Sequence, residues 1–304
     1  MIYLDEEQVR GLLRWDELIP AMERALAKFS QGNIVQPVRS VLTIEEGKRY
    51  LGIMPAAAED VMCVKAVSFY PANEGSSVPT HQAIVLLFRT DNGEPLAVMD
   101  GRLITEMRTA AVSAAITKYL MPPQSRVLAL LGSGVQAHSH LAALSSIHAF
   151  EEVRVWSRTP EHAAQFARER GAVAMEAEAA VRGADVIVVA TSSQEPVLRG
   201  AWLKGGAHVN AVGANRPAWR ELDDDAMQNV LVVDSREAVL KESGDVILSG
   251  ANIYADIGEI FAGTKPARPA ETTIFKSVGI AAEDLAAASL IYDAYTALAK
   301  RAIN

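Results

Sequence analysis

The sequence predicts an α/β fold in which a parallel, doubly wound sheet is joined to a second domain of α+β type. Three observations predict it. After residue 122, short apolar runs of strand length alternate with helical patterns. A glycine-rich turn follows the first of those runs. Between residues 34 and 100, strand-like runs follow one another without helices between them. Alternation of strands and helices is typical of parallel sheets, whereas consecutive strands favour a mixed or antiparallel sheet.

Composition limits the class of protein. The chain has 304 residues, of which 50% are hydrophobic and 22% are charged, so it can build a sizeable core. A net charge of −8 without a basic cluster argues against nucleic-acid binding. Cys63 is the single cysteine, which excludes an intrachain disulfide and a cysteine zinc cluster. The first residues lack the pattern of a signal peptide, and no apolar run has the length of a membrane span. We therefore predict a cytoplasmic protein without membrane contact.

The first domain is predicted over residues 1–121 and 284–304. Residues 5–30 carry apolar side chains at helical spacing, and Gly32-Asn33 ends that pattern. A helix near Leu103–Leu120 ends at Pro122-Pro123, which we interpret as the domain boundary. The final helix, Glu283–Arg301, is expected to pack back on this domain. Five strands are predicted before the helix that ends at the prolines: Val38–Thr43, Tyr50–Met54, Val61–Phe69, Ala83–Arg89 and Leu96–Met99.

The second domain is predicted over residues 122–283, where strands alternate with helices such as Pro160–Arg170. Its strands are short and mostly apolar, as expected for a sheet that helices cover on both faces. We predict seven of them: Val127–Leu131, Val153–Trp156, Val173–Met175, Asp185–Ala190, His208–Val212, Val230–Asp234 and Thr273–Val278.

A glycine motif indicates what the parallel sheet binds. Gly132-Ser133-Gly134 follows the first strand, and Ala137 follows three residues later, as in the G-x-G-x-x-A dinucleotide fingerprint. Gly132 permits the tight turn, and Gly134 lets the backbone approach a pyrophosphate at the helix N-terminus. Alone, the motif also suits an ordinary strand–turn–helix. The next strand completes a βαβ unit of about thirty residues, which favours a Rossmann-type domain.

The end of the second strand indicates which dinucleotide binds. NAD-binding domains usually carry an acidic residue there, which hydrogen-bonds the ribose 2′-hydroxyl. This chain has Ser157-Arg158-Thr159 instead. A guanidinium flanked by two hydroxyls suits a 2′-phosphate, which a carboxylate would repel. We therefore predict NADPH as the cofactor. The alternative is that Arg158 is a solvated surface residue.

Two other strand ends carry small and polar residues. Ala190-Thr191-Ser192 follows one strand, and Val212-Gly213 leads to Asn215 after the next. Ligands bind beyond the carboxyl ends of the strands in open α/β sheets. Both segments are therefore candidate cofactor contacts, as is Val278 after the last strand. Ordinary loop chemistry is the alternative for each.

Three cations of the first domain are candidate substrate ligands. Arg39 and Lys65 lie among apolar residues of predicted strands, and Arg108 lies on a helix rich in small residues. A cation is costly to bury unless an anion pairs with it, and a substrate carboxylate is one candidate. The alternative is that they point to solvent. His81, which follows Thr80, could be a polar loop residue or face the cofactor.

The sequence contains neither a pattern typical of a metal site nor one typical of a catalytic nucleophile. His138 and His140 are two residues apart, which places them on different helix faces, and no carboxylate completes a zinc site. The chain also lacks Gly-x-Ser-x-Gly, so it has no nucleophile elbow. We predict no metal.

At this point the sequence resembles the ornithine cyclodeaminase/mu-crystallin family, and within it the mu-crystallin, or ketimine reductase, branch. The resemblance extends over nearly the whole chain. It is carried by eight separated segments: Gln36-Pro-Val-Arg39, Tyr50-Leu-Gly-Ile-Met-Pro55, Pro79-Thr-His-Gln82, Ala97-Val-Met-Asp-Gly101, Arg108-Thr-Ala-Ala-Val-Ser113, Leu131-Gly-Ser-Gly-Val-Gln-Ala137, Arg216-Pro-Ala-Trp-Arg-Glu-Leu-Asp223 and Lys241-Glu-Ser-Gly-Asp245.

The resemblance implies a homodimer with a substrate and dimerisation domain beside the Rossmann domain. It also implies NADPH-dependent reduction of cyclic ketimines such as piperideine- or pyrroline-2-carboxylate. Arg39 and Arg108 would then hold the substrate carboxylate, and Lys65 would lie by the imine as a proton donor or electrostatic partner. The resemblance implies that further residues line the cofactor: Thr80, His81, Arg108, Ser133, Val135, Gln136, Thr191, Ser192 and Val212.

One position departs from the cyclodeaminase branch. That branch carries a catalytic aspartate two residues before the proline of the loop after Val212-Gly213, where this chain has Asn215, a candidate substrate contact. Asparagine cannot act as a general base, so deamination of ornithine is not expected. Two alternatives to imine reduction stay open. One is an amino-acid dehydrogenase or reductive aminase acting on an open-chain oxo acid or ketone plus an amine. The other is a non-enzymatic binder of NADPH and a small ligand, of the crystallin or thyroid-hormone-binding type.

Overall fold

The computed structural model describes residues 1–303, which divide into two compact units. One unit comprises Met1–Arg108 and the chain from Ile280 onward, and the other comprises Thr109–Gly279. The partition falls inside a helix, whereas the sequence suggested the proline pair after that helix. Which unit binds substrate and which binds cofactor stays a prediction.

The first unit begins with a short strand that the sequence analysis missed, and it contains two helices where one was expected. Asp5 caps the first helix, since its carboxylate accepts from the Gln8 backbone N–H and the Gln8 side chain accepts in return. Leu13 and Arg14 are extended, which separates the two helices. The elements up to the partition are β1 (Ile2–Leu4), α1 (Glu6–Leu12), α2 (Trp15–Ser30), β2 (Ser40–Glu45), β3 (Arg49–Ala57), β4 (Val61–Phe69), β5 (His81–Arg89), β6 (Pro95–Asp100) and α3 (Gly101–Leu120).

The second unit alternates strands and helices. It includes one strand, Ile253–Asp256, that polar neighbours hid from the sequence analysis. Its elements are β7 (Val127–Leu131), α4 (Val135–Ile147), β8 (Glu152–Trp156), α5 (Pro160–Arg170), β9 (Val173–Ala174), α6 (Ala177–Val181), β10 (Val186–Val189), β11 (His208–Ala211), α7 (Asp224–Met227), β12 (Val230–Val233), α8 (Arg236–Glu242), α9 (Gly244–Ser249), β13 (Ile253–Asp256), α10 (Ile257–Phe261) and β14 (Thr273–Lys276). The final helix, α11 (Ala281–Ile303), belongs to the first unit.

The sheet of the first unit is mixed, as predicted. Within residues 1–303 it has the strand order β1-β6-β5-β4-β3-β2, with β1 parallel to β6 and the other neighbours antiparallel. Helices α2 and α11 pack on each other, and α11 also packs on β4 and β3. Alanines of α11 such as Ala287 and Ala288 are fully buried, since a small side chain lets the helix approach the sheet closely.

The sheet of the second unit is parallel throughout the described residues, with the strand order β13-β12-β14-β11-β10-β7-β8-β9. All four residues of β10 are completely buried, as expected where helices cover both faces. The predicted α/β fold class is therefore confirmed. Within residues 1–303, no helix combines the length and the apolar character that crossing a membrane requires.

Candidate active site

The second unit gathers most of the predicted cofactor contacts at one edge of its sheet. The chain runs from β7 outward to β8 and β9, then returns to β10 on the other side of β7. The carboxyl ends of β7 and β10 therefore form a topological switch point, where ligands bind in sheets of this kind. Predicted contacts follow five parallel strands there: Gly132 to Gln136 after β7, Ser157 to Thr159 after β8, Ala190 to Ser192 after β10, Val212 and Gly213 after β11, and Val278 after β14.

The turn after β7 has the geometry that the glycine motif requires. Gly132 has a φ of +116°, and a Cβ atom there would lie 2.3 Å from the carbonyl oxygen of Ala190. A side chain is therefore excluded by both conformation and space. Gly134 is the N-cap of α4, and a Cβ there would meet no atom within 4 Å. The space over the helix N-terminus is thus open to a ligand.

The first turn of α4 also has unused polar groups. No side chain caps this helix, so its first N–H groups have no partner from the N-cap. The buried Oε1 atom of Gln136 has no hydrogen-bond partner among the described residues. Free N–H groups and the positive end of the helix dipole suit a pyrophosphate, and the amide oxygen of Gln136 suits a donor. The residues present therefore fit a dinucleotide.

The segment predicted to select the cofactor is accessible. Arg158 is exposed between the half-buried Ser157 and Thr159. Thr159 is the N-cap residue of α5, yet its side chain makes no capping hydrogen bond. Both hydroxyls and the guanidinium therefore stand at the carboxyl end of β8, where a ribose phosphate would be expected.

The loops after β10 and β11 meet at a carboxylate that the sequence analysis did not single out. Glu221 accepts hydrogen bonds from the backbone and the hydroxyl of Thr191 and from the backbone of Gly213 and Ala214. Thr191, predicted to contact the cofactor, thus donates both its hydroxyl and its backbone N–H to the protein itself. A similar tie holds the backbone N–H of Val278, which donates to the buried carboxylate of Asp234.

The first unit contains a buried ion-pair cluster around Lys65. The Nζ atom of Lys65, on β4, lies 2.7 Å from Oδ2 of Asp284, in the first turn of α11. The exposed fractions of these side chains are 1% and 0%. From the sequence alone, either a substrate carboxylate or solvent is expected to face Lys65. In the structure, the protein supplies the carboxylate.

Arg108 completes the cluster from α3. Its Nε atom lies 3.1 Å from Oδ1 of Asp284, and its Nη1 atom donates to Glu283. Loss of hydration lowers the pKa of Lys65 to about 8. The charge of Asp284 opposes this shift, whereas the charges of Arg108 and Arg39 reinforce it. The cluster therefore pairs two cations, Lys65 and Arg108, with two buried carboxylates, and Lys65 can exchange a proton near neutral pH.

Asp284 and Glu283 are the site residues that sequence reasoning missed. They lie next to each other at the start of an alanine-rich apolar helix. Acidic residues are common in the first helical turn because they oppose the helix dipole, so local sequence offers no reason to single them out. The burial of their partners was the missing information.

The remaining predicted contacts lie around the start of β5 and in the loop after β11. The ring of His81, at the start of β5, packs at a tilt of 30° on that of Phe69 with centroids 4.4 Å apart, and Thr80 precedes it. Asn215 is exposed in the loop after β11. Within the described residues, no group of three or more His, Cys, Asp or Glu side chains is placed to hold a metal ion.

Comparison with known proteins identifies the family. The sequence model of the ornithine cyclodeaminase/mu-crystallin family matches residues 2–298. The chain belongs to this family. It is similar to the ketimine reductase mu-crystallin of Mus musculus, with 53% identity over 304 residues that cover 97% of each chain. The family resemblance drawn from the sequence is therefore confirmed.

Two solved structures of similar proteins carry nicotinamide cofactors. One is the Delta(1)-pyrroline-2-carboxylate reductase of Thermococcus litoralis in complex with NADH and L-proline, with a TM-score of 0.93, 36% identity and 98% of each chain covered. The other is an archaeal alanine dehydrogenase dimer with bound NAD, with a TM-score of 0.91, 33% identity, and coverage of 99% of this chain and 97% of that one. The α/β fold of this chain is thus shared along its whole length.

Proposed function

We propose that this chain is an NADPH-dependent imine reductase acting on the C=N bond of a small, cyclic imine carboxylate of the piperideine- or pyrroline-2-carboxylate type. The observation that carries the proposal is the buried Lys65–Asp284 pair, with Arg108 bound to the same carboxylate. Reduction of an imine requires a proton at nitrogen, and a cluster that keeps a lysine in the proton-exchange range near neutral pH suits that task. The named activities of the mouse and Thermococcus litoralis relatives support it.

The substrate carboxylate is assigned to Arg39 and Arg108. Paired hydrogen bonds, which fix the orientation of a carboxylate as well as its position, are assigned to Arg39. Arg108 already donates to Asp284 and Glu283, so it contributes mainly its positive charge. Arg39 is half-buried immediately before β2, and its charge acts on Lys65. In the proposed substrates the carboxylate is attached to the carbon of the C=N bond. Binding of that carboxylate by these cations would therefore bring the imine nitrogen close to Lys65.

The cofactor is assigned to the strand ends of the second unit. The open N-terminus of α4 suits the pyrophosphate, and Ser157, Arg158 and Thr159 suit a 2′-phosphate, which favours NADPH over NADH. When bound, the reduced nicotinamide supplies the hydride that such a reduction requires. The task of the protein is to hold the reacting groups in position and to provide the proton.

Lys65 is assigned the proton that the imine nitrogen gains. Asp284 keeps the ammonium charged in spite of its burial, because a buried cation without a counter-ion would give up its proton. Asn215, at the position of the cyclodeaminase aspartate, can neither accept nor hold a proton at neutral pH. The site therefore favours reduction over deamination.

The direct test is oxidation of NADPH, followed at its absorbance band, with piperideine-2-carboxylate as substrate and NADH as the cofactor control. We expect rapid oxidation of NADPH and slow oxidation of NADH. If neither cofactor is oxidised while fluorescence shows that NADPH binds, the reductase proposal is wrong and a non-enzymatic binding protein is favoured.

An amino-acid dehydrogenase is the second candidate, because the alanine dehydrogenase structure shares the fold of nearly the whole chain. Its substrate would be an open-chain 2-oxo acid together with ammonia or an amine. Activity with pyruvate and ammonia, and none with the preformed cyclic imine, would favour it.

We further propose that the protein is a homodimer and that β2 contacts the second copy. This strand lies at the edge of its sheet, and Val41, Leu42 and Ile44 are 44%, 61% and 52% exposed. An exposed, apolar edge strand is a liability in a monomer, whereas a second copy would cover it.

A further inference from the structure

Glu221 lies at the point where two cofactor loops approach each other, and its carboxylate is completely buried. Oε1 accepts from the backbone N and the hydroxyl of Thr191, at 2.6 and 2.7 Å. Oε2 accepts from the backbone N of Gly213 and Ala214, at 2.7 and 2.9 Å. One oxygen thus serves the loop after β10, and the other serves the loop after β11.

The loops are so close that a side chain is excluded at their meeting point. A Cβ atom on Gly213 would lie 2.1 Å from the carbonyl oxygen of Thr191 and 2.3 Å from Oε1 of Glu221. The φ angle of Gly213 is not in the left-handed region, so space and not conformation requires glycine here. The carboxylate of Glu221 fills the space that remains between the backbones of the loops after β10 and β11.

A second buried carboxylate, that of Asp245, and the ammonium group of Lys276 lie beside Glu221. Oδ1 of Asp245 accepts from the backbone N of Glu221 at 2.8 Å and from that of Leu222 at 3.0 Å. Lys276, at the end of β14, places its Nζ atom 3.0 Å from Oδ2 of Asp245 and 3.9 Å from Oε2 of Glu221. All three charged side chains are completely buried. The cation partly offsets the cost of burying two carboxylates.

Packing of the core alone does not require three buried charges at this position. An apolar side chain of similar size would fill the space without the cost of removing three charges from water. The carboxylate does something that an apolar residue cannot, because it accepts four hydrogen bonds from donors on two separate loops. Its effect is to fix the relative position of those loops.

We infer that Glu221 is the positioning residue of the dinucleotide site, and that it holds the loops after β10 and β11 in the arrangement that receives the cofactor. The inference rests on the proposed function, since those loops are assigned to the cofactor there. It also changes the role of Thr191: its hydroxyl and its backbone N–H both bind Glu221, so this residue supports the cofactor site by fixing the loop after β10.

The test is Glu221→Gln. The substitution replaces one acceptor oxygen by an amide NH₂ group, which would face N–H donors, so one of the two loops loses its acceptor. We expect the Kd values for NADPH and NADH to rise together, by about tenfold to hundredfold. The KM for the imine should stay unchanged. Glu195→Gln makes the same chemical change at an exposed position of the loop after β10, and serves as the matched control.

Amide hydrogen exchange of the cofactor-free protein gives a readout that does not depend on binding. Exchange should accelerate at Thr191, or at Gly213 and Ala214, and stay unchanged in β7 and β8. Unchanged exchange and unchanged Kd values would overturn the inference and leave the proposed function standing. If the wild-type protein binds neither dinucleotide, the proposed function fails, while the exchange data still test whether Glu221 ties the loops.

A second variant covers the case in which Glu221→Gln does not fold. Thr191→Val keeps the carboxylate and removes one donor without a large change in volume. It should raise both Kd values several-fold and accelerate exchange around residue 191 alone. Thr191→Ser, which restores the hydroxyl, should recover most of the lost affinity, and failure of that rescue would contradict the role assigned to the hydroxyl.

Discussion

The ammonium group of Lys65 lies 2.7 Å from the carboxylate of Asp284, although 218 residues lie between them in the sequence. The two side chains meet because β4 and α11 pack directly on each other. Both side chains are buried, so each charge depends on the other. Arg108 binds the second oxygen of the same carboxylate at 3.1 Å. Removing Lys65 therefore leaves Asp284 with one cationic partner, whereas removing Asp284 leaves two cations facing each other.

Lys65→Met should reduce kcat with a cyclic imine by about a hundredfold to ten-thousandfold, the range usual for loss of a proton donor. Methionine fills most of the lysine volume, and Arg108 still neutralises Asp284, so the fold should persist. The measurement is steady-state turnover together with NADPH affinity by fluorescence, which should stay unchanged.

Lys48→Met is the matched control for this variant, since Lys48 is an exposed lysine of the same unit that pairs with Glu45. It should keep wild-type turnover. Equal turnover of Lys65→Met and wild type would remove Lys65 from the mechanism.

The pH dependence follows from the lowered pKa of Lys65, about 8. A proton donor must be protonated, so kcat/KM should fall as the pH rises through that value. Asp284→Asn removes the negative charge that favours the protonated form, so the pKa of Lys65 falls further. The alkaline limb of the profile should move to lower pH by at least about one unit.

Comparison of the wild-type and Asp284→Asn profiles isolates the titration of Lys65, because the substrate imine titrates identically with both proteins. Cys63 on the same strand does not interfere, since burial raises the pKa of its thiol to about 12. Asp293→Asn makes the same change at an exposed position of α11 and should leave the limb in place. Superimposable wild-type and Asp284→Asn profiles would contradict the assignment.

Local sequence patterns predicted the parallel sheet well but the charged clusters poorly. Apolar runs such as Val186–Val189 can be identified because a strand covered on both faces contains little else. The break between α1 and α2 could not be seen in the apolar pattern, because Leu13 is buried even though its backbone is extended. A helical residue at the same spacing would also be an apolar, buried one. Asp284 and Glu221 were missed since their partners are far away in sequence, and only the folded chain brings them together.

Arg158→Ala should lower the affinity for NADPH by about tenfold to hundredfold, the effect of losing a hydrogen-bonded charge on the 2′-phosphate. The affinity for NADH, which lacks that phosphate, should stay the same. Fluorescence titration of both cofactors measures the two values. Arg168→Ala removes an exposed arginine from the neighbouring helix α5 and controls for the general loss of positive charge. An equal loss for NADPH and NADH would exclude a 2′-phosphate contact.

Leu42→Lys should convert a dimer into a monomer. Leu42 is 61% exposed on the edge strand β2, and a lysine placed between two apolar edges would have to bury its charge. Sedimentation velocity at several concentrations measures the change. Val173→Lys is the control, because Val173 is also exposed, at 46%, on β9, the edge strand of the other sheet. A wild-type protein that sediments as a monomer would contradict the dimer. Two variants that both sediment as dimers would show that β2 is not the contact.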